Sequence, residues 1–275
     1  MTTPIIAMIG AGNMGSSLIS GLINNGHPSD KIWASDTSEE KLQSLQHSLQ
    51  VHTTVNNTEA AQVADIIVFA IKPQLFAPIA LELASIIQTR DPLVISIAAG
   101  IRESSIRHWL GPHTKIVRAM PNTPALIGCG ATALYANAYV TNELYNMAES
   151  ILRTVGVVVW LTDEKLMDTV TALSGSGPAY FFLVMEALQQ AAEQYGLPIE
   201  TARLLTLQTA LGAARMAIES GKPLAELRHN VTSPGGTTEK AVSVLEENNI
   251  RTLFTNALQA AKLRSEELAE LMGKA

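Results

Sequence analysis

Ile9-Gly10-Ala11-Gly12-Asn13-Met14-Gly15 joins the apolar run Ile5-Ile6-Ala7-Met8 to Ser16-Ser17-Leu18-Ile19-Ser20-Gly21-Leu22-Ile23, a helix-like stretch. Gly-x-Gly-x-x-Gly between a strand and a helix predicts a dinucleotide-binding turn. The first glycine permits the tight turn, and the second lets the backbone approach a pyrophosphate. The third lets helix and strand pack closely, with the helix N-terminus aimed at the phosphates. Three glycines alone occur in many loops, so the strand before and the helix after give the motif its meaning. It names a class of cofactor and leaves the reaction open.

Working outward, the end of the next apolar run separates NAD from NADP. An acidic residue about 20 positions beyond the last motif glycine accepts from a ribose 2′-hydroxyl, whereas a 2′-phosphate needs donors and positive charge. Asp36 stands there, in Ala34-Ser35-Asp36-Thr37-Ser38, with no Arg or Lys before Lys41. Asp36 equally suits a cap on a helix starting near Ser38, and Ser35, Thr37 and Ser38 are able to donate to a phosphate. Both readings stay open. Lys72-Pro73 closes the apolar run Asp65–Ile71, at the sheet edge where ligands bind in open α/β folds. Asn57 and Met120-Pro121-Asn122-Thr123-Pro124 are further edge loops, equally suited to turn chemistry and to ligand contact.

Strand-like runs continue at Lys31–Ser35, Leu93–Ile97, Lys115–Arg118, Ala131–Tyr135 and Val157–Trp160, with amphipathic stretches such as Glu39–Leu49 and Leu75–Ile87 between them. Strands alternating with helices predict a mostly parallel sheet covered on both faces. From about Thr162 the strand signal stops. Leu166–Leu173, Pro178–Tyr195, Ile199–Glu219, Pro223–Arg228, Thr237–Asn248 and Arg251–Met272 read as helices. The expected organisation is therefore an α/β dinucleotide-binding domain over 1–161 and an all-α domain over 162–275. Leu, Ala and Met occupy more than one face of the later helices, and a helix apolar all round must be buried. A half this small cannot cover all such faces alone, which predicts an obligate dimer.

With 275 residues the chain has room for one large domain or two ordinary ones, and its 47% hydrophobic and 16% charged residues are those of a soluble globular protein. A formal net charge of −6 argues against nucleic acid or an anionic membrane as partner. No apolar run approaches the roughly 18 residues needed to span a bilayer, and no basic segment precedes a long apolar stretch, so neither membrane span nor signal peptide is expected. The single cysteine, Cys129, fits a reducing compartment and, between Gly128 and Gly130, reads as a small packed thiol. Cytoplasm is the expected location.

Two motifs in the helical half depart from ordinary helix composition. Ser174-Gly175-Ser176-Gly177-Pro178-Ala179-Tyr180 interrupts an apolar helix with small residues, predicting close approach of a ligand or another backbone. Asn230-Val231-Thr232-Ser233-Pro234-Gly235-Gly236-Thr237-Thr238-Glu239 leads into a helix. Converging amides at a helix N-terminus with hydroxyls beside them make an anion site, here for a carboxylate. Ser233 as N-cap with Pro234 at the first helical position is the plainer reading, which leaves Gly-Gly-Thr-Thr unexplained. No paired-cysteine or His-x-x-x-His pattern predicts a metal, and the one histidine beside a candidate site, His229, reads as solvated.

Together these blocks resemble pyrroline-5-carboxylate reductase along essentially the whole chain. The resemblance is carried by Gly10–Gly15, Ala70-Ile71-Lys72-Pro73, Ser96-Ile97-Ala98-Ala99-Gly100, Met120–Pro124, Leu173–Tyr180 and Val231–Glu239. It implies a Rossmann domain, a helical domain that interlocks in a dimer, in some members dimers gathered into decamers, and reduction of L-1-pyrroline-5-carboxylate to L-proline by NADPH or NADH. The implied cofactor contacts are Ile9, Gly10, Ala11, Gly12, Asn13, Met14, Gly15, Ser35, Asp36, Asn57, Ala70, Ile71, Lys72, Pro73, Ile97, Ala98 and Ala99. The implied substrate contacts are Glu164, Asn230, Ser233, Gly236, Thr237 and Thr238, with the Gly235–Thr238 amides and hydroxyls holding the carboxylate and Thr238 orienting the ring nitrogen. Asp36 departs from strongly NADPH-preferring members, which tend to carry small hydroxyl residues there.

Overall fold

The computed structural model describes residues 3–273, so the outermost ends of the expected 1–161 and 162–275 domains lie outside it. Its first part runs β1 (Ile6–Ile9), α1 (Asn13–Asn24), β2 (Ile32–Ser35), α2 (Glu39–Leu49), β3 (His52–Thr54), α3 (Asn57–Val63) and β4 (Ile66–Phe69). It continues with α4 (Phe76–Arg90), β5 (Leu93–Ser96), α5 (Glu103–Leu110), β6 (Lys115–Met120), β7 (Gly130–Ala136), α6 (Asn142–Arg153) and β8 (Gly156–Trp160). The eight strands form one sheet in the order β3-β2-β1-β4-β5-β6-β7-β8. All neighbouring pairs are parallel except β6 with β7.

Alternation along the strands explains how both faces are covered. Ile6, Met8, Ile66, Val68, Leu93 and Ile95 turn to a core completed by Leu18, Leu22, Leu42, Ile151 and Leu152 from α1, α2 and α6. Ala7, Ile9, Ile67, Phe69 and Val94 turn the other way, onto Phe76, Leu83 and Ile87 of α4 and Ile106 and Trp109 of α5. Phe76 links Phe69 and Trp109 there, with ring centroids 4.8 and 5.8 Å apart. The mostly parallel sheet matches expectation. The short edge strand β3 is an addition, as is the antiparallel pairing of β6 with β7.

Helices follow: α7 (Leu166–Val170), α8 (Gly177–Gln194), α9 (Ile199–Ser220), α10 (Leu224–Asn230), α11 (Thr237–Glu247) and α12 (Ile250–Met272). Between α7 and α8 the chain does not break into a loop. Thr171–Gly175 is a wide π-type turn in which the Ser176 amide donates to the Thr171 carbonyl, five residues back, at 2.8 Å. The expected interruption at Ser174–Tyr180 is thus a widening of helix, and what approaches Gly175 is a side chain, the Met120 methyl, rather than another backbone.

The architecture changes after β8, but compactness divides elsewhere. One unit takes in the chain through Ser176 together with the segment from Ala260 onward, and the other is Gly177–Gln259. In the first, the Ser265 hydroxyl of α12 donates to buried Asp168 of α7 at 2.7 Å, and the α12 backbone at Leu268–Ala269 lies close to Gly100. In the second, α8 packs on α9, yet Phe181, Phe182, Leu204, Leu211 and Leu253 are each more than 60% exposed within one chain. No helix among the described residues is long and apolar enough to cross a membrane. Cys129 is exposed rather than packed, and follows Gly128, which ends a short 3₁₀ turn at φ +73°.

Candidate functional site

Each glycine of the opening motif has a distinct physical reason. Gly10 adopts φ +101°, donates its amide to the Ser35 carbonyl at 2.8 Å, and faces the Ala70 backbone so closely that a Cβ would collide. Gly15 faces the Gly10 carbonyl oxygen in the same way, which seats α1 on β1. Gly12 has no atom within 4 Å of where its Cβ would be. It is the N-cap of α1 without a side-chain cap, and no acidic residue occupies the first turn. First-turn amides lacking acceptors, at the positive end of a helix under an open cradle, fit a pyrophosphate.

The other sheet-edge residues lie in the same row of loops. Ile9 ends β1, and its carbonyl accepts from the Ala70 amide at 2.8 Å just beyond β4. The Ile97 amide, beyond β5, donates to the Phe69 carbonyl at 3.1 Å. Ser35, at the end of β2, donates its hydroxyl to Asn57 Oδ1 at 2.8 Å. Lys72 is exposed at the head of a short 3₁₀ turn, with Pro73 in that turn's first position. Ala98 is buried and Ala99 half-buried beyond β5, while Ala11, Asn13 and Met14 lie in the turn and first helical residues after β1.

Asp36 is engaged in its own loop, and the helix cap foreseen for it falls to Ser38 instead. Its Oδ1 accepts from the Ser38 amide and its Oδ2 from the Ala11 amide, each at 2.9 Å, while Lys41 Nζ stands 3.9 Å from Oδ1. Ser38 itself caps α2. The carboxylate therefore staples the glycine turn to the loop after β2 and fixes a negative charge at the edge where a ribose 2′-position belongs.

Glu164, expected at the substrate, has its Oε1 committed to Arg118 Nη1 at 2.5 Å and to the Glu103 amide at 2.6 Å, at the start of α5. Arg118 is buried, and residue pairing alone did not reveal this tie, which spans 46 positions. Nearby, burial first and then the charges of Glu164, Glu103 and Asp163 hold the Tyr135 phenol above its ordinary range.

In the second unit, Asn230 ends α10, and Ser233–Gly236 forms a turn closed by the Gly236 amide donating to the Ser233 carbonyl at 3.0 Å. The N-cap of α11 is Gly236, not Ser233, and it carries no side-chain cap. Gly235 sits at φ +71°, and its amide donates to Glu239 Oε2 at 2.7 Å, a reach back resembling a capping box. Two of the amides in the expected donor set Gly235–Thr238 have partners of their own. The Gly235 and Gly236 amides are engaged within the turn, and Thr237 and Thr238 present first-turn amides and hydroxyls. Among the described residues no group of three His, Cys, Asp or Glu is placed to hold a metal ion.

Comparison with known proteins covers both parts of this arrangement. Residues 164–268 match the family described as pyrroline-5-carboxylate reductase dimerisation, and residues 5–100 match the family described as NADP oxidoreductase, coenzyme F420-dependent. The pyrroline-5-carboxylate reductase of Pseudomonas aeruginosa is 48% identical over 274 residues, covering 100% of both chains. That of Vibrio alginolyticus is 42% identical over 97% of this chain and 98% of its own. The crystallographic neighbours include the enzyme of Coxiella burnetii, at TM-score 0.94 and 49% identity over 98% of this chain and 99% of that one. They also include the Plasmodium falciparum enzyme with NADP bound, at TM-score 0.86 and 31% identity, again over 98% and 99%. This chain belongs to the pyrroline-5-carboxylate reductase family.

Proposed function

We propose that the chain reduces L-1-pyrroline-5-carboxylate to L-proline with NADPH or NADH, the closing step of proline biosynthesis, in the cytoplasm. The observation that carries the reading is the Gly10–Gly15 turn, with its open cradle at Gly12, on a chain alike over its full length to reductases of this name. The dinucleotide belongs to residues 1–161, held by Ile9–Gly15, Ser35, Asp36, Asn57, Ala70–Pro73 and Ile97–Ala99. Substrate binding and dimerisation belong to 162–275.

The substrate is a cyclic imine bearing a carboxylate. When bound, the reduced nicotinamide supplies the hydride, which adds to the imine carbon (C2 of the pyrroline, C5 of the proline formed) as the C=N electron pair moves onto nitrogen. Thr237 and Thr238 hold the carboxylate with amides and hydroxyls, while Asn230, Ser233 and Gly236 shape the turn; Glu164 is a further substrate contact that the resemblance implies. Positioning of this kind is the main contribution, since no strong acid stands in the motif. The imine enters protonated, and the Thr238 hydroxyl orients the ring nitrogen. The apolar faces of α8, α9 and α12 support a homodimer, since over 60% exposure of Phe181 or Leu204 is costly in water. A decamer of such dimers is the assembly the resemblance adds.

The test is loss of reduced cofactor absorbance on adding pyrroline-5-carboxylate, with proline counted against cofactor oxidised. Equal amounts are expected. Oxidation without proline refutes the reading, and Thr238→Ala with unchanged turnover and KM refutes the role given to Thr238.

A further inference from the structure

Pro178 has no N–H. In a regular helix the Ser174 carbonyl accepts from residue 178, so the proline deprives it of that partner. The replacement comes from outside the helix: Asn122 Nδ2 donates to the Ser174 carbonyl at 3.1 Å. The same side chain accepts the Ala131 amide on Oδ1 at 2.9 Å, and the Asn122 carbonyl accepts the Ala125 amide at 3.1 Å. One residue thus ties the wide turn Thr171–Gly175 to β7 and to the loop after β6. An apolar contact reinforces the tie, because a Cβ on Gly175 would lie 2.5 Å from the Met120 methyl. Other hydroxyls of the turn are engaged locally, Thr171 with the Met167 carbonyl and Ser174 with the Val170 carbonyl. Asn122 is therefore a long-range polar anchor of a π-type turn, a helix irregularity common at functional sites.

The place of this anchor follows from the sheet. β1, β4, β5 and β6 are parallel and adjacent, so the loop after β6 opens on the same carboxyl edge as the glycine turn. Asp36 marks the adenosine ribose at β2 and Gly12 marks the pyrophosphate at β1. A dinucleotide laid along that edge directs its nicotinamide end past β4 toward β5 and β6.

We propose that Asn122 is a positioning residue for hydride transfer, holding Thr171–Gly175 as the wall against which the nicotinamide end is set. The inference rests on the reductase reading above. Asn122→Asp tests it: the shape and the acceptor for Ala131 remain, while the donor to Ser174 becomes an acceptor facing a carbonyl. Asn122→Ser, which removes the reach without adding charge, serves if the aspartate variant fails to fold. Misplacement of order 1 Å costs about 100-fold in rate, so kcat is expected to fall roughly 10- to 100-fold. KM for pyrroline-5-carboxylate, the calorimetric Kd of the oxidised cofactor and the melting temperature of the cofactor-free enzyme are expected to stay near wild type. The primary deuterium isotope effect with C4-deuterated cofactor is expected to rise. Amide hydrogen exchange is expected to quicken over residues 171–178 and nowhere else. Unchanged kcat in the variant overturns the proposal, as does a rate loss matched by an equal loss of cofactor affinity or of folding. If wild type leaves pyrroline-5-carboxylate untouched, the reductase reading fails instead. Exchange still decides the Asn122 tie, and unaltered exchange at 171–178 breaks it.

Discussion

Adding one methyl group at Gly12 and one at Gly15 separates binding from folding. At Gly15 the new carbon meets the Gly10 carbonyl oxygen and lies 3.3 Å from Ala70 Cβ. The clash is with backbone, which cannot rotate away, so α1 must lift from β1. Overpacking of this kind costs about 1–3 kcal/mol. For a domain of 150–250 residues each kcal/mol lowers Tm by about 2–4 °C, giving a fall of roughly 4–8 °C for a 2 kcal/mol penalty. At Gly12 the backbone is extended, at φ −72° and ψ −176°, and nothing lies within 4 Å. Alanine fits there with an expected stability change of no more than about 0.5 kcal/mol, set by a weaker N-cap. Its methyl, however, stands over the first-turn amides that receive the pyrophosphate. Cofactor Kd is expected to weaken at least tenfold, about 1.4 kcal/mol, with Tm nearly unchanged. Scanning calorimetry of the cofactor-free protein and titration with NADH and NADPH read the two effects separately. A Gly12→Ala protein that binds cofactor like wild type, or melts as early as Gly15→Ala, refutes the division of labour.

Three further outcomes follow from the same geometry. Asp36→Ser removes the carboxylate fixed by Ala11 and Ser38 and releases Lys41 from its 3.9 Å approach, so the NADPH:NADH ratio of kcat/KM is expected to rise about tenfold. A constant ratio leaves Asp36 as a loop staple only. Glu164→Ala strands buried Arg118 and uncaps the Glu103 amide, at a cost of about 3 kcal/mol, so a melting temperature within about 2 °C of wild type contradicts the assigned ion pair. Burial lowers the His27 pKa below 6.5, outweighing the Pro4 and Lys31 backbone groups and Asp30, which raise it. Just below pH 6.5 the unfolded chain then binds more protons than the folded one. The contribution of His27 is complete above 6.5 and declines as pH falls through that value toward the folded pKa. Between about pH 7.5 and 5.5 wild type should lose more Tm than His27→Gln, and equal losses exclude the effect.

The dinucleotide turn was readable because its constraints are local. A positive φ at Gly10 and contact at Gly15 admit little besides glycine, and the strand before and helix after carry clear periodicity. β3 escaped because His52–Thr54 is a short, polar, partly exposed edge with no apolar run to announce it. The block at Ser174–Pro178 was correctly marked as unusual, yet small residues do not distinguish a loop from a π-type turn. Its anchor, Asn122, lies 52 positions away. Glu164 was placed through resemblance, and the distant Arg118 that fixes its Oε1 emerges only once β6 is packed. At Ser233–Thr238 composition pointed to an anion site, but the reach of Glu239 back to the Gly235 amide depends on the turn geometry.

The most direct measurement is the fate of deuterium from 4,4-dideuterated NADH or NADPH in a reaction with pyrroline-5-carboxylate. Hydride transfer to the imine predicts one deuterium at C5 of the proline formed for each cofactor oxidised. Proline without deuterium at C5, or cofactor oxidised with no proline formed, contradicts the account.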